Sequence, residues 1–303
     1  MSNYTLKHGG KKLKTKKKFR TLKCAPKQKN QVDNSLKDRS CYDNNQLMNM
    51  KKLWNESNEG NKVETNNPKE IWTFFKKNMR KKCYNELCWL DDKKFSSKVN
   101  KDILIKDLFR PFSPKTWKLK PYEWLSSVDI VKVMNQYEKK YKNFAFIGPS
   151  PIDFDDKKLF GTCVWEKLCK FDLDNYINKK HKIGMIFNLD PHYKGGSHWV
   201  ALFVDLDKDF IFYFDSNGDK IPKRIKVLVD RITEQGRKLN KNFEFMSNEG
   251  KVHQYRDGQC AVYALYFIIE LLKGTKKPEY FKKNRVPDEL MKNYRLKYYN
   301  TPE

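Results

Sequence analysis

The chain has 303 residues, of which 39% are hydrophobic and 14% aromatic, enough for one sizeable core and a smaller accessory region. Its formal net charge of +26 favours polyanionic surroundings such as nucleic acid and says nothing about fold. The longest apolar stretch, Ala261 to Leu272, contains Glu270 and is too short to cross a bilayer, so membrane insertion is not expected. Seven cysteines at irregular spacing, behind a lysine-rich start with no apolar leader, are expected to be free thiols in a reducing compartment.

Residues 1–30 hold eleven Lys or Arg and no acidic residue. Lys11, Lys12, Lys14, Lys16, Lys17, Lys18 and Arg20 are the candidates for non-specific binding to DNA phosphates. Residues 31–68 are rich in Asn, Lys and Ser, so a largely disordered arm is expected over 1–68. Trp72, Phe74, Phe75, Met79, Trp89 and Leu90 then suggest a small, mainly helical accessory region over 69–120. The main folded region is expected over 121–303. Ile130, Val133, Met134 and Tyr137 give Asp129–Tyr141 a helical face, and Pro149 and Pro151 mark a loop. Trp124 and Trp165 read as core.

Lys182–Leu189 reads as a buried strand. His198–Leu206 and Phe210–Asp215, rich in β-branched and aromatic residues around a short polar turn, read as a hairpin. Pro222–Leu239 is a basic amphipathic helix and Asn242–Met246 a short strand. A helix from Gly258 to Leu272 ends at Gly274, a suitable C-terminal cap.

If Leu206 opposes Asp209, then His198 opposes Asn217 and Val200 opposes Asp215, which makes His198 and Asp215 diagonal neighbours on one face. A one-residue slip would separate them. Cys260 opens the last of these helices, where unpaired N–H groups and the helix dipole favour an anion and so a thiolate. The same N–H groups suit the oxyanion of a tetrahedral intermediate, and the Gln254 amide is placed to add a donor. A nucleophile on a buried helix facing an imidazole on a strand suits thiolate–imidazolium chemistry.

The order His–Asp–Cys, with H-W at a strand start, F-D-S at the next strand's end and Q-x5-C opening a helix, resembles the Ulp1/adenain-type cysteine proteases. The viral branch, the polyprotein-processing proteases of large DNA viruses, is similar over about residues 120–275. The resemblance implies an α+β fold: a central mixed or antiparallel sheet flanked by helices, with the nucleophile at the N-terminus of a buried helix. It implies His198 as base, Asp215 as its orienter, Cys260 as nucleophile, Gln254 as oxyanion donor and Trp199 beside a narrow glycine tunnel. No cofactor or metal follows from it. The implied substrates are polypeptides, viral core or capsid precursors cut after small residues such as Gly-Gly, in the virion and in the host cytoplasm during assembly. Ala261 stands where the family usually has Gly, and Gln259 where cellular members often have Asp. Both weaken a SUMO-deconjugating reading more than a protease reading.

Singly, these residues have plainer roles. Cys260 alone would be a buried structural cysteine, and Asp215 a turn former before Ser216-Asn217-Gly218. His253 is a rival base without an orienter, and Pro151–Phe154 reads as a turn. The Cys83/Cys88 and Cys163/Cys169 spacings fit no usual zinc pair. Alternatives to an endopeptidase are a ubiquitin-like deconjugating isopeptidase, an acyl transferase using the same thiolate, and a DNA-binding virion component with a dead protease fold.

Overall fold

A computed structural model describes residues 18–27, 40–80 and 83–302. They form two compact units: 18–22, 40–80 and 83–104 in one, 23–27 and 105–302 in the other. Lys11, Lys12, Lys14, Lys16 and Lys17 lie outside the described residues. Lys18 is exposed, whereas Arg20 is partly buried and its backbone N–H donates to the Tyr84 carbonyl (2.6 Å).

The first unit departs from the expected arm. Within 40–68 it has a 13-residue helix, α1 (Asn44–Glu56), opened by a reciprocal Asp43–Gln46 capping box. Leu47, Met50, Leu53 and Trp54 make its buried face. They pack with α2 (Pro68–Met79) and α3 (Lys93–Ser96) around Phe75, Trp89 and Phe95. The asparagines that suggested disorder bind backbone instead: Asn55 pairs with Val63 in both directions and Asn58 donates to the Trp54 carbonyl. Few but large apolar residues, with these side-chain bonds, outweigh a polar composition. Helix α4 (Lys101–Leu108) follows.

The second unit is a three-layer arrangement. After α5 (Ser127–Lys140) come β1 (Phe144–Pro151), the short helices α6 (Glu166–Cys169) and α7 (Asp174–Ile177), β2 (Lys182–Asn188), β3 (Trp199–Asp205) and β4 (Phe210–Phe214). Then follow α8 (Lys223–Lys238), β5 (Glu244–Ser247), α9 (Cys260–Lys273), α10 (Pro278–Lys283) and α11 (Asp288–Tyr298). The sheet order is β1-β2-β3-β4-β5, parallel at both outer pairs and antiparallel between. This is the expected α+β mixed sheet.

Alternation along the strands sends side chains to two cores. Ala201, Phe203, Phe212 and Phe214 face α9 and α5. Val200, Leu202, Val204, Ile211 and Tyr213 face Ile225, Leu228, Val229 and Ile232 of α8. Helix α9 is buried from Cys260 to Leu272, which explains a sequence apolar but for Glu270, and Gly274 caps it in the left-handed region.

Three expectations are corrected. Pro149 and Pro151 do not mark a loop but lie in edge strand β1, with a register shift between Ile147 and Ser150 that accommodates Pro149. Cys83–Cys88 and Cys163–Cys169 are disulfides, not free thiols. Trp124 is 41% exposed, while Trp165 is partly buried against the α8-side core. No helix among the described residues is long and apolar enough to cross a membrane.

Helix α9 rests directly on β2 at Gly184, where an added Cβ would lie 2.9 Å from Ile268 Cγ2 and 3.0 Å from Phe144 Cζ. Gly184→Val should therefore cost about 1–3 kcal/mol by overpacking, measured as a lower denaturant midpoint. An unchanged midpoint would mean that the helix does not bear on the sheet there.

Candidate active site

The hairpin takes the register that shares a face between His198 and Asp215. Ala201 pairs with Phe214 and Asp205 with Phe210, so Val200 and Asp215 fall opposite one another just past the last pair. His198 Nε2 lies 2.7 Å from Asp215 Oδ1. Cys260 also lies within electrostatic range of that imidazole. The three side chains thus meet at the open end of the hairpin and the start of α9. Cys260 is 4% exposed and is the only free cysteine among the described residues.

Asp215 has no exposed surface. Its Oδ1 accepts from the His198 ring and from the Asn217 N–H (2.8 Å), while Oδ2 is buried with no hydrogen-bond partner among the described residues. Asn248, unremarked in the sequence, fixes the backbone there. Its Oδ1 accepts from the Asp215 N–H and its amide donates to the Asp215 carbonyl (2.6 Å). It replaces strand pairing at the residue where β4 ends.

The approach to His198 is held as firmly. Buried Asn188 accepts from the Asp190 and Ser197 N–H groups. Buried Asp153 binds the His192 N–H and ring, so Pro151–Phe154 does more than turn the chain: it anchors the loop leading to His198.

Burial pulls the His198 pKa down, but the hydrogen bond to Asp215 and the nearby Cys260 outweigh this and raise it to about 10. A protonated ring thus sits between carboxylate and sulfur. His253 behaves oppositely. Burial, against a weaker contrary effect of the Phe281 carbonyl, lowers its pKa to about 4. Its Nδ1 accepts from the Val286 N–H and its Nε2 faces the Phe281 carbonyl (3.0 Å). Both nitrogens are engaged, so His253 is a structural residue and no rival base.

Gln254 is held at both ends of its amide. Its Oε1 accepts from Ser216 Oγ (2.9 Å) and its Nε2 donates to the Arg256 carbonyl (2.8 Å). The carboxamide keeps a second N–H. Trp199 is a core residue whose indole N–H donates to the Leu125 carbonyl (3.2 Å), so it offers a fixed wall. The exposed Trp124 stands next to that anchoring residue. Among the described residues, no group of three or more His, Cys, Asp or Glu could hold a metal.

The model of the Ulp1 protease family's C-terminal catalytic domain matches residues 129–302. A candidate thiol protease of Acanthamoeba polyphaga mimivirus is 30% identical over 275 residues, 83% of this chain and 84% of that protein. The cysteine protease of African swine fever virus is 26% identical over 180 residues, 56% of this chain and 66% of its own length. In several isolates that protein is called a SUMO-1 cysteine protease. Its crystal structure matches 92% of this chain and 96% of that chain with a TM-score of 0.66 at 19% identity, a likeness of fold.

Partly buried His198 and buried His253 should separate in an NMR titration of imidazole nitrogens. His198, with its raised pKa, should stay protonated through pH 8 and lose its proton near about 10. His253, with its lowered pKa, should remain neutral down to about pH 4. A His198 midpoint near the ordinary 6.5 or below would contradict the ion-pair geometry.

Proposed function

Since the chain belongs to the Ulp1 family of cysteine peptidases, we propose that Cys260, His198 and Asp215 are its catalytic triad and that it cleaves polypeptide precursors of a viral particle. The observation that carries the triad is the single imidazole hydrogen-bonded to a buried carboxylate and within electrostatic range of Cys260, the only free thiol among the described residues.

The chemistry follows from the positions. The Cys260 thiolate attacks the scissile carbonyl carbon, and the C=O electron pair moves to oxygen. The amide N–H groups opening α9, which have no intrahelical acceptor, and the second N–H of Gln254 are the donors for that oxyanion. His198 gives its proton to the leaving amine as the C–N bond breaks, leaving a thioester on Cys260. Neutral His198 then takes a proton from water, which attacks the thioester; the C–S bond breaks, freeing the acid and restoring the thiolate beside the protonated ring. Asp215 holds the ring with one nitrogen toward sulfur and balances its charge in both steps. Trp199 forms the wall of a narrow passage that admits small residues such as Gly-Gly before the cut bond.

Deconjugation of a ubiquitin-like modifier is the second reading, favoured by the naming of African swine fever virus relatives as SUMO-1 cysteine proteases. Both readings use the same chemistry and differ in what is gripped beyond the cut bond. The basic residues Lys11 to Arg20 would tether the enzyme to packaged nucleic acid through phosphate neutralisation.

The deciding experiment offers the purified chain Gly-Gly-X peptides, a SUMO fusion and viral core precursors, with and without DNA. Precursor cleavage without SUMO release supports the first reading; the reverse supports the second. Cys260→Ala and His198→Ala should each abolish turnover, because nucleophile and base act as a unit. Asp215→Asn should be milder, since an amide oxygen still accepts from the ring. Turnover in Cys260→Ala would overturn the triad. Removing residues 1–17, which leaves the packed segment 18–27 in place, should remove most of a salt-sensitive DNA affinity and spare peptide cleavage; undiminished affinity would move the DNA site elsewhere.

A further inference from the structure

Arg295, on α11, is 2% exposed, and no carboxylate among the described residues forms a salt bridge with it. Its guanidinium binds oxygen atoms of two distant segments. Nη1 donates to the Glu123 carbonyl (2.6 Å), Nη2 to the Gly258 carbonyl (2.6 Å) and Nε to Gln259 Oε1 (3.3 Å). The flat cation lies over the Trp117 ring, 4.4 Å from its centre. Burying a charge without a counter-ion costs several kcal/mol, so an arginine here needs a reason beyond filling space.

The turn it grips delivers Cys260. Gly258 has φ +81°, and a Cβ there would lie 2.1 Å from the Tyr122 carbonyl oxygen. Residues 122–123 and 258–259 are thus pressed together, with the guanidinium fork linking them. In a trans peptide the C=O and N–H point in opposite directions. With the Gly258 oxygen fixed on Arg295, the Gln259 N–H points away from the guanidinium. Gln259 is the N-cap, and Cys260 is the first residue of α9. Electrostatically, Arg295 and Cys260 are also within range of each other.

We propose that Arg295 is a positioning residue for hydrolysis: it fixes the Gly258–Gln259 peptide plane so that the Gln259 amide just ahead of Cys260 faces the oxyanion. This rests on Cys260 being the nucleophile. Arginine suits the role because its rigid fork reaches three acceptors at once, which the single ammonium of lysine does not do.

The test compares Arg295→Lys and Arg295→Met with wild type and Cys260→Ala, all as full chains. It measures kcat and KM on a peptide, and thermal unfolding. Arg295→Lys loses the fork, so kcat should fall about 10- to 100-fold with KM little changed, the scale of a small misplacement. Arg295→Met should lose at least as much kcat. Wild-type kcat in both variants, or a fall that only tracks the folded fraction, would overturn the assignment. Activity in Cys260→Ala would instead overturn the triad itself, so the two failures are distinguishable.

Discussion

A carboxylate with no exposed surface must be compensated by whatever touches it. For Asp215 that is chiefly the His198 ring, because one carboxylate oxygen meets the imidazole and a backbone N–H while the other has no hydrogen-bond partner among the described residues. The buried acid thus favours a protonated ring, and the protonated ring faces the sulfur of Cys260. Much of the second unit keeps these groups in register: β3 and β4 place the pair, Asn248 closes the end of β4, and α9 sits on Gly184 of β2 to bring up the cysteine.

The local parts of this arrangement are legible in the sequence. Two apolar runs around a short polar turn allow few registers, and only some of those put His198 and Asp215 on one face. Helix α9 is equally plain, because a run of that length, apolar up to Leu272 but for Glu270 and followed by Gly274, fits a buried helix and little else. Strand β1 is hidden by its prolines, which are tolerated because β1 is an edge strand with a register shift. Asn248 and Arg295 are hidden for another reason. Their partners lie 33 and 37 residues away at Asp215 and Gly258, and nothing in the local sequence of a polar turn or a basic helix points that far.

The first unit is misread from sequence because composition averages over positions. Residues 40–68 are polar overall, yet α1 carries its apolar residues on one face, and asparagine side chains bind the backbone around it. The cysteines behave similarly: Cys83–Cys88 and Cys163–Cys169 are paired, and the thiol left free is the one beside the imidazole. The residues that match the family begin at 129, yet Leu125, Glu123 and Tyr122 anchor Trp199, Arg295 and the Gly258 turn. The site therefore depends on chain outside the matched segment.

The most direct test is covalent. The chain is treated with a Gly-Gly peptide bearing a C-terminal vinyl ester, an electrophile that a catalytic thiolate attacks, and the adduct is mapped by mass spectrometry. One adduct per chain, on Cys260, formed by wild type and strongly slowed in His198→Ala at neutral pH, is the predicted result. Labelling at another residue, or His198→Ala labelled at the wild-type rate, would contradict a thiolate held by the His198–Asp215 pair.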